Sequence, residues 1–231
     1  MILDKVPQVS YNIKMMKYKK YTLFILLQLA VFGLIPYAFM SGANWFLILG
    51  LYVLFKGVGI SFYFHRVLTH NMYTTPGWIL STIGFVGSLQ PPAVWAAVHA
   101  EHHKHADTER DPHSPKHLGW KVLFSMFHNP YLDKATLIKY NKLPCTGFFT
   151  TYYFHLLALI ALVFVLFPYE MAVYWALPVG LNLWIQNISV WAGHRHGRPS
   201  SQPWFYHIIV DPGEHDHIAH HRYDNVDNSK S

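Results

Sequence analysis

Histidine recurs in this sequence at spacings that suit metal ligation. His99, His102 and His103 occupy positions i, i+3 and i+4, His217, His220 and His221 repeat that pattern, and His65 with His70 forms a third group. On a helix, i, i+3 and i+4 share one face, so each triplet aims its rings into one site while Glu101 turns away. The adjacent rings that close each triplet diverge by about 100°, which lets one triplet serve two neighbouring ions. Neutral imidazole suits iron, zinc, copper and nickel alike, so ligand type does not choose the metal. Ligand number is more informative. Structural zinc is satisfied by about four ligands and catalytic zinc by about three plus water, and eight clustered histidines are twice that complement. They imply a dinuclear centre. His105, His113, His117, His128, His155, His196, His207 and His215 are read as exposed or locally hydrogen-bonded groups.

The elements that must carry these rings are apolar. Of 231 residues, 52% are hydrophobic and only 13% charged, which leaves too little polar surface to coat a soluble domain. Four stretches approach the length of about 20 residues needed to cross a bilayer: 21–40, 43–64, 148–167 and 171–192. The connections Ser41-Gly42 and Pro168-Tyr169-Glu170 are short enough to make each pair a helical hairpin. A fifth apolar stretch, 77–98, is interrupted by Gln90, Pro91 and Pro92, which deprive a spanning helix of backbone hydrogen bonds. It is read as interfacial or re-entrant, because a true crossing would put His65 and His70 on the opposite side of the membrane from His99, His102 and His103. Residues 99–144 read as a polar loop. Lys14, Lys17, Lys19 and Lys20 crowd the entrance of the first span, while the two turns carry no Lys or Arg. The positive-inside rule then places both termini in the cytoplasm.

The expectation is therefore an all-α chain with one domain over 1–231: four transmembrane helices as two hairpins, and a histidine-rich helical cap built from cytoplasmic segments 1–20, 65–147 and 193–231. The net charge of +6 is read as membrane-side flanks rather than a nucleic-acid surface. The lone Cys145 forms no internal disulfide. The first apolar run is too long for a secretory signal and is expected to be retained. Lys56, inside the second span, would cost about 2.5–3.5 kcal/mol at mid-bilayer and is expected to snorkel or to face the protein interior.

Together these residues resemble the membrane fatty acid desaturases, most closely the acyl-CoA delta-9 branch. Phe64-His65-Arg66-Val67-Leu68-Thr69-His70 resembles that family's first box. Trp95-Ala96-Ala97-Val98-His99 resembles the tryptophan that precedes the second, and Gly213-Glu214-His215-Asp216-His217-Ile218-Ala219-His220-His221 resembles the third. Asp111-Pro112-His113 also fits. The sequence His194-Arg195-His196-Gly197-Arg198-Pro199 fits the family's extra ligand histidine, with His194 as the ninth. The family's asparagine four residues before that histidine falls on Val190 here, with Asn187 as the nearest substitute.

The resemblance implies a pair of Fe2+ ions held by His65, His70, His99, His102, His103, His194, His217, His220 and His221. It also implies O2-dependent insertion of a cis double bond into a fatty acyl-CoA or acyl-lipid chain in the membrane. Electrons would come from a separate protein such as a b-type cytochrome, or a ferredoxin with its reductase, since the chain ends ten residues after His221. Trp95 and Gln90 are candidates for the wall of an acyl tunnel. Arg66 and Arg198, with Lys104, Arg110 and Arg195, are candidates for an anionic headgroup. A lipid, sterol or alkane hydroxylase is the nearest enzyme alternative. A metal transporter is the non-enzymatic one, although it would place its ligands at mid-membrane.

Overall fold

In the computed structural model the structure describes residues 6–72, 77–124, 132–201, Ile218 and His221, with side chains from Thr22 onward; every regular element among them is helical. The first helix, α1 (Val6–Met40), begins well before its apolar segment, of which Thr22–Met40 suits a membrane span. A tight turn follows, with Gly42 at φ 67°, where a residue without Cβ is unstrained. Asn44 then caps α2 by accepting from the Leu47 amide at 3.1 Å. The second helix runs Trp45–Thr69, five residues beyond the predicted end at 64, so His65 lies inside the helix rather than after it.

From Leu54 to Thr69, α2 is wound in the wider π register, in which each amide bonds to the carbonyl five residues back. Lys56 lies in this segment and is buried, its Nζ donating to Ser61 Oγ at 3.1 Å. It faces the protein interior.

The stretch 77–98 is two helices. The first, α3 (Gly77–Ser88), is too short to cross a bilayer, and α4 (Pro92–His105) starts after a break at Leu89, whose φ is 57°, and Gln90. Pro92 sits in the first turn of α4, where its missing N–H has no bond to lose. The region predicted as a polar loop from 99 to 144 is largely helical among its described residues. It comprises the end of α4, the short α5 (Pro115–Leu118) leading into a 3-10 turn at Gly119–Phe124, α6 (Lys134–Asn141) and the start of α7 (Pro144–Thr151).

The third predicted span, 148–167, is not one straight helix. The chain bends by 72° between α7 and α8 (Tyr153–Leu166). The following reversal is made at Phe167 rather than by Pro168-Tyr169-Glu170, which already begin α9. The last helix, α9 (168–194), contains a π segment at Met171–Ala176 just before Pro178. The wider register there accommodates a ring that cannot donate and would crowd the preceding carbonyl.

Among the described residues, two helices are long and apolar enough to cross a membrane by length and composition, or three when the bent α7–α8 pair counts as one. These helices present Phe32, Phe39, Phe46, Leu49, Val53, Leu159, Leu162 and Val165 outward, the surface expected of segments solvated by lipid. The chain is a membrane protein. Its interior is tied together at close approaches: a Cβ on Gly180 of α9 would lie 2.5 Å from the Leu27 carbonyl of α1, and one on Gly59 of α2 would lie 2.7 Å from Gly84 Cα of α3.

Candidate metal centre

One end of this bundle gathers histidines from four parts of the chain. His65 and His70 come from the end of α2. In an α-helix, residues five apart would be about 140° apart around the axis. The π register closes that gap: the His70 amide bonds to the His65 carbonyl at 3.1 Å and the two Nε2 atoms lie 3.1 Å apart. On α4, His99 and His103 approach to 3.0 Å between Nε2 atoms. The four rings His65, His70, His99 and His103 form one group, with candidate ligand atoms all within 4.8 Å of one another.

His102 diverges from His103 and joins a second group with His194, at the C-terminus of α9, and His221. His194 Nε2 is 3.1 Å from His102 Nε2 and 3.1 Å from His221 Nε2. The His103 and His221 rings stack at 4.3 Å, 15° from parallel, and so join the two groups. His217 and His220 lie outside the described residues.

The carboxylates behind this second group decide its chemistry. His102 Nδ1 lies 2.9 and 3.0 Å from the two oxygens of Asp111, and His194 Nδ1 lies 2.9 Å from Asp107 Oδ2. An ionised carboxylate only accepts hydrogen bonds, so each Nδ1 carries a proton, and in the neutral form of each ring Nε2 is the atom left to coordinate a metal. Two lone pairs held 3.1 Å apart repel unless a cation lies between them. A proton would satisfy one pair. With three Nε2 atoms converging, a metal ion would satisfy all of them at once. The donor set therefore fits an imidazole-binding transition metal. In the first group, burial and then the neighbouring His103, His65, His70 and His102 hold the His99 pKa well below its ordinary value. Its lone pair is thereby kept available.

The remaining predicted residues divide. Trp95 is buried, stacked on His99 at 5.0 Å and 27°, and donates from Nε1 to Gln186 Oε1 at 3.1 Å. Gln90 is fully buried at the α3–α4 break, and neither its amide oxygen nor its nitrogen has a hydrogen-bond partner among the described residues. Arg66 is half-buried on α2, whereas Arg198, Lys104, Arg110 and Arg195 are exposed. Asn187 is buried, and its amide donates to the Leu123 carbonyl at 2.8 Å. Glu101 does turn away from the rings, toward α6, where it accepts from Thr136 Oγ1 at 2.7 Å.

One histidine assigned a bland role belongs with the cluster. His113 is buried, its ring 4.4 Å from His102, and with His102 and Asp111 it forms a third candidate group. The signal for it was its place two residues after Asp111. His105 is half-buried beside Glu101, His117, His155 and His196 are exposed, and His128, His207 and His215 lie outside the described residues.

An all-helical, lipid-facing bundle with imidazoles gathered at one end defines a membrane protein with a histidine-rich candidate metal centre. Comparison with known proteins goes further. The chain is 35% identical over 108 residues to an sn-1 stearoyl-lipid 9-desaturase of Anabaena variabilis, covering 43% of this chain and 39% of that one. It is 35% identical over 166 residues to an icosanoyl-CoA 5-desaturase of Limnanthes douglasii, covering 64% and 45%. It is 29% identical over 215 residues to an acyl-CoA 5-desaturase of Anemone leveillei, covering 82% and 64%. Several such relatives, all named as desaturases, support a resemblance to the membrane fatty acid desaturase family at modest identity. It spans between 39% and 64% of their own lengths. No family model matches the chain, and no solved structure matches it significantly.

Proposed function

We propose that this chain is an O2-dependent fatty acyl desaturase that inserts a cis double bond, at position 9, into an acyl-CoA or acyl-lipid chain, using two Fe2+ ions. Support for the reaction comes from the relatives, which are named as desaturases, several of them acting at position 9. Support for two ions comes from the division of the rings into two groups, His65, His70, His99 and His103 against His102, His194 and His221. His217 and His220 complete the proposed ligand set. The single observation that carries the metal reading is the opposition of the His102 and His194 Nε2 lone pairs at 3.1 Å, each fixed by a carboxylate on Nδ1.

When bound, iron supplies the oxygen-activating chemistry that an unactivated C–H bond requires. The residues of this chain do the rest. The imidazoles hold the ions, Trp95 closes one side of the centre with a dry aromatic face on His99, and the buried core around Phe64 and Phe85 keeps water away from the apolar substrate. Removing two hydrogens from adjacent carbons yields two electrons, while reducing O2 to two waters takes four. The other two come from an external donor, a b-type cytochrome or a ferredoxin with its reductase. The proposed architecture is two hairpins with both termini and the histidine-bearing helices on the cytoplasmic side, in one domain over 1–231.

Expression of the full chain in a desaturase-deficient cell, followed by fatty-acid profiling, tests the reading, with His102→Ala as the control. A new alkene that disappears in the control supports it. An alcohol assigns a hydroxylase instead, and an unchanged profile removes the proposed reaction.

A further inference from the structure

The two acids behind the second histidine group belong to a single turn. Where α4 ends, Ala106 leaves the helix and Asp107 adopts φ 60°, a conformation that Asp tolerates better than most residues. Thr108 folds back on the His105 carbonyl through its amide at 2.9 Å and its hydroxyl at 2.6 Å, and the Asp111 amide bonds to the Thr108 carbonyl at 3.0 Å. The Asp111 carboxylate then accepts from the Asp107 amide at 2.8 Å and the His113 amide at 3.0 Å. These bonds are sufficient to build the turn.

They do not account for the Asp107 side chain. Its Oδ1 accepts from Ser114 at 2.9 Å, and its Oδ2 reaches His194, 87 positions along the chain, at 2.9 Å. Both acids are buried, and burying an ionised carboxylate is unfavourable unless its oxygens are well supplied with donors. One short segment thus spends two buried charges on the Nδ1 atoms of two rings whose Nε2 atoms meet 3.1 Å apart.

We propose, on the metal-centre reading above, that Asp107 and Asp111 are positioning residues for the metal. Together they lock His102 and His194 in the tautomer that directs both Nε2 lone pairs at one ion, and they fix the ring planes so that one rigid turn sets two ligands from two helices. The hydrogen bonding distinguishes orientation from charge. An Asn at 107 can keep its oxygen on His194 and turn its amide toward Ser114, whose hydroxyl then accepts. An Asn at 111 has no such freedom, because both carboxylate oxygens already face backbone N–H donors. A Gly at 107 removes the side chain and is at ease at positive φ, so the turn survives.

The test is Co2+ binding to the full chain purified in detergent, read by visible absorption and by metal content after desalting. Wild type, Asp107→Gly, Asp107→Asn and Ser114→Ala are compared, and thermal unfolding of each metal-free chain confirms its fold. Loss of a group that orients a metal-bound histidine weakens binding by about 10–100-fold. That loss is expected for Asp107→Gly, together with a changed absorption envelope. Asp107→Asn is expected to recover binding to within a few-fold, and Ser114→Ala to stay near wild type. Asp107→Gly binding Co2+ as wild type does overturns the proposal. Asp107→Asn as weak as Asp107→Gly, in a folded chain, also overturns it, because charge rather than orientation would then be what Asp107 supplies. A wild-type chain that binds no Co2+ removes the metal-centre reading and this inference with it.

Discussion

Trp95 donates its indole N–H to Gln186, joining α4 to α9 through the buried core. The chain of bonds continues inward: Gln186 Nε2 donates to Asn182 Oδ1 at 3.1 Å, and Asn182 Nδ2 donates to the Gly87 carbonyl at 2.8 Å. The ring that lies on His99 is therefore held by two amides of another helix. Trp95→Phe keeps an aromatic face but leaves Gln186 Oε1 without its donor, and Gln186→Leu strands the indole. Each single change is expected to cost about 1–3 kcal/mol of stability, the penalty for an unsatisfied buried polar group. The double variant should cost less than the sum of the two. Thermal melts of the four chains in detergent give the coupling directly, and strict additivity would show that the bond does not matter.

The approach of α2 to α3 is set by two glycines. A Cβ on Gly59 would collide with the backbone of Gly84, which cannot yield as a side chain can. Gly59→Ala is expected to destabilise by about 1–3 kcal/mol and to lower bound metal, because it displaces the helix that ends in His65 and His70. Gly57→Ala is the control. Its Cβ would meet nothing closer than 3.9 Å, so it should be neutral or stabilising by about 0.5–1 kcal/mol. Equal losses in both variants would count against a specific contact.

Glu101 is buried and relies on Thr136 for a hydrogen bond that anchors α6 to α4. Thr136→Val keeps the shape and removes the donor, with an expected loss of about 1–3 kcal/mol. The readout is the unfolding midpoint in denaturant, and a midpoint unchanged from wild type would show that Glu101 draws its stabilisation elsewhere.

Gln90 presents the opposite case, a fully buried amide with no partner for either end among the described residues. Replacing it with Leu removes polar atoms that burial already penalises, so Gln90→Leu should fold at least as stably as wild type. If Gln90 lines the acyl path, the same variant should change the amount or position of the double bond in fatty-acid profiles. A large drop in stability would instead mean that the amide has a partner in the folded protein.

Metal removal should be visible in stability. A ligand that binds only the folded chain stabilises it by about 2.7 kcal/mol at a hundred times its dissociation constant, so a strong chelator is expected to lower the melting temperature of wild type. His194→Ala, already missing a ring of the second group, should respond less. A melt indifferent to chelator in wild type would argue against a structural contribution from bound metal.

Much of the site was legible because its signals are local. In the described residues, the i, i+3, i+4 spacing of His99, His102 and His103 specifies rings carried by one helix toward one site, and the pair Gln90-Pro91 specifies a break in the apolar stretch that contains it. Other features are tertiary and left little local trace. The bend at Tyr152 follows no Pro or Gly, so nothing in 148–167 distinguishes it from a straight span. Asp107 and Asp111 lie in a run of polar residues that reads as solvated, and only their contacts with His102 and His194 reveal otherwise. His113 has no periodic partner, and its burial follows from the fold of the turn rather than from spacing.

The wide winding of α2 has a consequence for rearranging this sequence. His65 and His70 meet because the coil around them is loose enough to bring every fifth residue back into line. A single-residue deletion between them would shorten the interval to four, which an ordinary α-helix already satisfies, and would leave the loose coil without its purpose. Moving the hexapeptide intact into a tight helical host would instead swing the two rings apart. The winding and the interval form one inherited unit, and neither can be transplanted without the other.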